Sequence, residues 1–274
     1  MKKILLAIDG SNYSKGAFEF ANWLNSKQKI LLVGLFVPKT VYANLWTYGD
    51  ANNLTNFIPV IDDIDSPEIL KTIQTFENNC IKNDIEFRVH KNYDSNALDI
   101  ISKESRFADL LILGSETFYK NYIGKDLSEN LKETLHEIEC PAIVVPEKYN
   151  FPKTNIIAYD GSKSSVYSLK QFIYLFPELL NNNTLLVNSS LDYEKEVQEQ
   201  ILIEELCIKH FSNFTIYKNK NEPENYFNSL ILKDKHPIII SGSFGKGGLG
   251  KLLHKSFMSD IIKEHHIPVF ITHK

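Results

Sequence analysis

Ile4-Leu5-Leu6-Ala7-Ile8-Asp9-Gly10-Ser11, near the start of the chain, has a counterpart in Asn155-Ile156-Ile157-Ala158-Tyr159-Asp160-Gly161-Ser162. Each is a short apolar run that stops at an aspartate and passes through glycine to a serine, the composition of a buried strand entering a tight turn and a helix cap. Outward from these two points the same order follows twice. The first half predicts strands at 3–8, 29–37, 86–90, 110–113 and 142–145, with helices at about 14–25, 66–83, 95–105 and 127–138. The second half predicts strands at 155–159, 184–188, 213–217, 237–241 and 269–272, with helices near 163–176, 193–210, 223–233 and 250–265. The strand segments are continuous Ile, Val and Leu runs, as in a parallel sheet covered on both faces. Further fixed points agree: the fourth strands end in Gly114-Ser115 and Gly242-Ser243, and the fifth follow Pro141 and Pro268. The expected fold is α/β, two tandem doubly wound five-stranded parallel-sheet domains at 1–147 and 153–274. Glu147-Lys148-Tyr149-Asn150-Phe151-Pro152-Lys153, which has neither period, is the connector.

Composition narrows the function. The 274 residues are 43% hydrophobic and 23% charged, with a net charge of −4, and no basic face suited to a phosphate backbone is visible, so no nucleic-acid partner is expected. The longest apolar runs, 30–37 and 237–240, are too short to cross a bilayer, which excludes a membrane protein. Asp9 interrupts the apolar stretch after Met1-Lys2-Lys3, against a secretory signal, and Cys80, Cys140 and Cys207 are isolated, as reduced thiols are. The expected location is cytoplasmic. Between the second strand and the following helix, the segment 38–65 carries Tyr42, Trp46, Tyr48 and Phe57 and is read as a long loop, either a lid or a packing arm. Its aromatic residues favour packing.

The segment Ser241-Gly242-Ser243-Phe244-Gly245-Lys246-Gly247-Gly248-Leu249-Gly250-Lys251 lies between a strand and a helix. Glycines there let backbone N–H groups converge on an anion, with the helix N-terminus behind them, and phosphate is the natural ligand. The alternative is a surface loop that merely turns. Gly245 to Lys251 fits most of a Walker A pattern, but Leu252 stands where Ser or Thr should bind magnesium. Gly245-x-Gly247-x-x-Gly250 matches a dinucleotide fingerprint but follows the wrong strand and lacks its acidic partner.

The whole span, Gly242-x2-Gly245, nine residues, then Lys255-Ser256, together with Asp160, resembles the G-x2-G-x9-G-S/T loop of the universal stress protein family, adenine-nucleotide-binding α/β proteins. The resemblance covers nearly the entire chain as two copies. It implies strand order 3-2-1-4-5 in each half, with ATP or another adenine nucleotide, with or without magnesium, in the crevice at the carboxyl ends of the first and fourth strands of the second half. Gly242 and Gly245 would approach ribose and phosphates, and Ser256 would donate to phosphate. Asp160 would sit near ribose or a metal, with Ser241, Ser243 and Phe257 flanking. Lys255 departs from the pattern by replacing the third glycine, which either blocks backbone approach or supplies a charge. In the first half Gly114 and Ser128 match the ends of the motif, but Thr117 and Leu127 replace glycines. Asp9, Gly114 and Ser128 are therefore at most a remnant site, and Asp9 serves equally well to cap the first helix or to close the turn with Ser11.

No residue is assigned a catalytic role or a protein metal site. His265-His266 lacks further ligands at metal spacing, no Gly-x-Ser-x-Gly elbow or Cys-His pair is present, and the acidic cluster of a receiver domain is missing. The family's pairing of fifth strands implies an intramolecular pseudo-dimer, 142–145 against 269–272, and leaves a further homodimer open. Three functions follow as expectations: a nucleotide-binding stress sensor or regulator without efficient turnover, a slow ATP hydrolase or self-phosphorylating enzyme, and a nucleotide-free scaffold.

Overall fold

The computed structural model describes residues 2–9, 12–37, 40–44, 57–61, 66–91, 97–115, 134–188, 197–217, 236–242 and 267–272. In chain order the elements are β1 (Lys2–Asp9), α1 (Lys15–Lys27), β2 (Ile30–Val37), β3 (Thr40–Asn44), β4 (Phe57–Ile61), α2 (Pro67–Lys82), β5 (Glu86–Lys91), α3 (Ala97–Ser105), β6 (Leu110–Gly114) and β7 (Ala142–Val145). They continue as β8 (Thr154–Tyr159), α4 (Lys163–Leu175), a 3-10 turn (Pro177–Leu179), β9 (Asn183–Asn188), α5 (Gln200–His210), β10 (Asn213–Tyr217), β11 (Pro237–Ser241) and β12 (Val269–Ile271).

Ten strands form one sheet in the order β10-β9-β8-β11-β12-β7-β6-β1-β2-β5. Each half contributes the order 3-2-1-4-5, and the halves meet back to back. Every neighbouring pair in that sheet is parallel except β12 and β7, which run antiparallel with Val269↔Val144, Phe270↔Ile143 and Ile271↔Ala142 in register.

The period-2 pleat splits each strand between two apolar layers. Ile4, Leu6 and Ile8 face one layer with α1, α2, α4 and α5, whereas Leu5 and Ala7 face the other with Ile100 and Ile101 of α3. Both layers run unbroken through the seam: Ile143 and Phe270 share the first, Ala142, Val144, Val269 and Ile271 the second. The helices follow from their own patterns. In α2, Ile69, Ile73, Phe76 and Cys80 repeat at helical spacing on the buried side, and Ser66 accepts a hydrogen bond from the Ile69 N–H at 3.3 Å to cap the start.

At the seam six aromatic rings connect the halves. Phe20 and Trp23 of α1 hold Phe151 of the connector at 5.7 and 4.1 Å between centroids, and Phe20 meets Phe176 at 6.0 Å. Phe176 lies 5.2 Å from Phe172 and 5.5 Å from Phe270. On the same layer the Lys2 ammonium donates to the Leu175 carbonyl, and burial lowers its pKa against the pull of Glu178 and Asp109.

Two expectations need correction. The segment 38–65 is not a plain loop: β3 and β4 pair antiparallel, Thr40 opposite Ile61 and Asn44 opposite Phe57, as a two-stranded sheet of their own. The β-branched and aromatic residues of both runs favour this pairing over coil. Trp46 and Tyr48 lie outside the described residues, and with them the choice between lid and packing arm. The helix expected from 193 begins at Gln200: 193–196 lie outside the described residues, 198–199 form a turn, and Glu199 has φ 49°, a left-handed conformation that a right-handed helix cannot propagate. The helix expected at 127–138 is described only at 134–137, where it is helical. Those at 223–233 and 250–265 lie outside the described residues.

Candidate functional site at the carboxyl edge of β8 and β11

β8 and β11 are adjacent and parallel with Ser241 opposite Ala158, so the chain leaves both strands at one edge, Gly242 beside Tyr159 and Asp160. β9 lies beyond β8 and β12 beyond β11, so the strand order reverses here, the point at which an open α/β sheet usually offers its ligand crevice.

Asp160 Oδ1 accepts the Ser162 N–H at 2.9 Å, closing a turn through Gly161, whose φ is +78°. Ser162 Oγ then accepts the Ser165 N–H at 3.1 Å and caps α4. The Asp-Gly-Ser triplet is therefore a turn and cap that fix the carboxylate at the rim of the crevice. Behind it, the buried Tyr159 donates to the Gln198 carbonyl at 3.1 Å. Burial first, then Glu199 and Asp160, raise the pKa of that phenol.

Gly242 lies against main chain. A Cβ on it would stand 2.6 Å from Ser165 N and 2.8 Å from Ser164 C, both backbone atoms. Only glycine lets the strand exit lie against the first turn of α4. Ser241 is buried, its hydroxyl donating to the Gly242 carbonyl at 2.9 Å while its own carbonyl accepts from Ser168 Oγ at 2.6 Å. Thr272, just past β12, brings its N–H to the Ser241 carbonyl at 3.4 Å, and its buried hydroxyl has no partner among the described residues. Ser243, Gly245, Lys255, Ser256 and Phe257 lie outside the described residues, as do Lys246, Lys251, His265 and His266.

In the first half, Asp9 ends β1 opposite Val37, and Gly114 ends β6 opposite Val145; Ser128, Thr117 and Leu127 lie outside the described residues. A carboxylate that sequence reasoning passed over stands at this edge: Glu147 Oε2 accepts the Lys15 and Gly16 N–H groups at 3.1 and 3.4 Å, at the head of α1. Among the described residues, no group of three His, Cys, Asp or Glu side chains could hold a metal ion, and no helix is long and apolar enough to cross a membrane.

No protein-family model matches the chain. In sequence it is 26% identical over 192 residues to a universal stress protein of Synechocystis sp., a match covering 63% of this chain and 64% of that protein, so the match spans under two thirds of the relative's length. In structure it is similar over 100% of its length to a universal stress protein from Archaeoglobus fulgidus, with a TM-score of 0.62, 16% identity and 96% of that chain covered. A candidate universal stress protein from Pseudomonas aeruginosa is similar over 100% of this chain and 93% of its own, with a TM-score of 0.55 and 10% identity. At those identities the structural likeness speaks for the fold, which is shared from end to end. The chain is thus similar to universal stress proteins in fold over its whole length and in sequence over 63% of it.

Proposed function

We propose that the chain is a tandem universal stress protein, with domains at 1–147 and 153–274, that binds ATP or a related adenine nucleotide at the carboxyl edge of its second half. It acts in the cytoplasm as a sensor or regulator in the stress response, without efficient turnover. The observation that carries this reading is the exit of Asp160 and Gly242 from adjacent parallel strands at one sheet edge, the glycine packed against the first turn of α4 where any side chain would collide with backbone.

In this reading Gly242 and Gly245 give ribose and phosphates access to main-chain N–H groups, and Ser256 donates to phosphate. Lys246, Lys251 and Lys255 supply charge. Asp160, oriented by the Ser162 N–H, accepts from a ribose hydroxyl. Magnesium, where present, arrives on the phosphates and neutralises them, since the described residues offer no three-ligand set of their own. Occupancy of the site by nucleotide would be the signal passed to a partner.

The test is calorimetric titration of ATP into the purified protein, with and without magnesium, after identifying any small molecule released on denaturation. Saturable binding at one site per chain supports the regulator; steady ADP formation would move the reading to a slow hydrolase. Absence of binding in both conditions leaves the nucleotide-free scaffold. That second reading has its own support: Asp160 and Ser241 already have structural roles, one in the turn before α4 and one in bonds that join the end of β11 to α4 and to Gly242.

A further inference from the structure

We propose that the connector is a strap, fastened along α1 by Glu147 and Phe151, that holds the two halves in register. The seam alone is short. β7 and β12 share three residue pairs, and a slip of two residues would keep the same side chains facing the same layers. Something beside the ladder must fix the alignment.

The connector is tied at each step. Glu147 Oε2 accepts the Lys15 and Gly16 N–H groups, two of the donors that a helix start leaves without intrahelical partners, and a carboxylate there is further favoured by the helix dipole. Gly16 permits the approach: a Cβ on it would lie 2.2 Å from the Pro146 carbonyl oxygen and 3.0 Å from Glu147 Cα. One turn along α1, Phe151 stacks on Phe20 with planes 20° apart, and a turn further on it meets Trp23 at 4.1 Å. The helix rises roughly 10 Å from residue 16 to 23, within the about 13 Å that residues 147 to 151 can span, so the connector reaches both contacts after its bend at 147–148. Tyr149 packs 6.4 Å from Phe151, and burial raises its phenol pKa.

The far end belongs to the second half. Asn182 donates to the Pro152 carbonyl at 3.3 Å, and the Lys153 N–H donates to the His236 carbonyl at 2.9 Å. One continuous segment thus grips the first half at 147–151 and the second at 152–153. The repeat also sets Glu147 apart. It lies six residues after Pro141, and Lys274, of opposite charge, lies six after Pro268, so the carboxylate occurs only where the chain crosses between halves.

Amide hydrogen exchange of the full chain tests this, comparing the wild type with Glu147→Ala, Glu147→Gln and Phe151→Leu. Glu147→Ala should speed exchange at Lys15 and Gly16 by about tenfold or more, with a smaller rise for the glutamine, which keeps one acceptor. Phe151→Leu should release residues 149–153. Both Glu147→Ala and Phe151→Leu should also speed exchange at Ile143 and Phe270 in the seam, while β1 and β8 stay protected and show that the chain remains folded. Unchanged exchange at Lys15 and Gly16 in Glu147→Ala, or a seam unaffected by either variant, would overturn the strap.

Discussion

The fold requires Gly242 to lack a side chain, and the proposed nucleotide would require the same. Its missing side chain leaves room for the first turn of α4, and the same bare backbone would face a phosphate or ribose on the crevice side. The two demands separate in experiment. Gly242→Ala pushes a methyl into Ser165 N and Ser164 C, neither of which can swing aside as a flexible side chain would. A loss of about 1–3 kcal/mol is expected, the usual range for overpacking, read as a fall in the denaturant midpoint with an unchanged slope. Nucleotide affinity should fall with it. If stability drops and affinity is kept, Gly242 serves packing alone.

At the scale of elements, α2 and α5 occupy equivalent places, and each buries a cysteine six residues ahead of the next strand. Cys80-Ile81-Lys82 and Cys207-Ile208-Lys209 are the same triplet, a mark of the repeat readable in the chain and overlooked beside the louder Asp-Gly-Ser and proline signals. Burial pushes the thiols of Cys80, Cys140 and Cys207 from 9.0 up to about 12. Because the folded state keeps these thiols protonated, their contribution to stability is intact below about pH 9 and is lost as the pH rises toward about 12. Native protein at pH 8 should therefore resist alkylation at all three and label fully in denaturant; fast native labelling of Cys80 or Cys207 would mean that its helix opens locally. Other elements were less legible. The strands could be read because continuous apolar runs of that length have few other homes. β3 and β4 could not, since Pro59 and the polar residues between them mask a pairing that depends on a partner strand. The start of α5 was placed early because a left-handed Glu199 leaves no compositional trace. At the candidate site, the glycines and Asp160 stand out by type and spacing. Glu147 does not, because its role depends on a helix head 131 residues away in the chain.

For the whole molecule, the continuity of sheet and core through the seam decides how the chain should unfold. Phe270 lies at the centre of that continuity, opposite Ile143 in the ladder and against Phe172 and Phe176 at 5.5 Å each, with Phe20 and Phe151 next in the chain of rings. The ring is fully buried. Phe270→Ala removes its ring contacts with Phe172 and Phe176 and thins an apolar layer that both halves share, and a loss of about 3–5 kcal/mol is expected for such a truncation. If the halves are one cooperative unit, calorimetry of the wild type gives a single transition whose calorimetric and van't Hoff enthalpies agree, and the variant gives the same single transition at lower temperature. If each half carries its own stability, the variant instead splits the trace, with the second half melting first because Phe172 and Phe176 lose their partner there. The first outcome would give the glycine-poor half its physical role: covering the β11–β12 side of a sheet that otherwise ends in an open edge beside the candidate site.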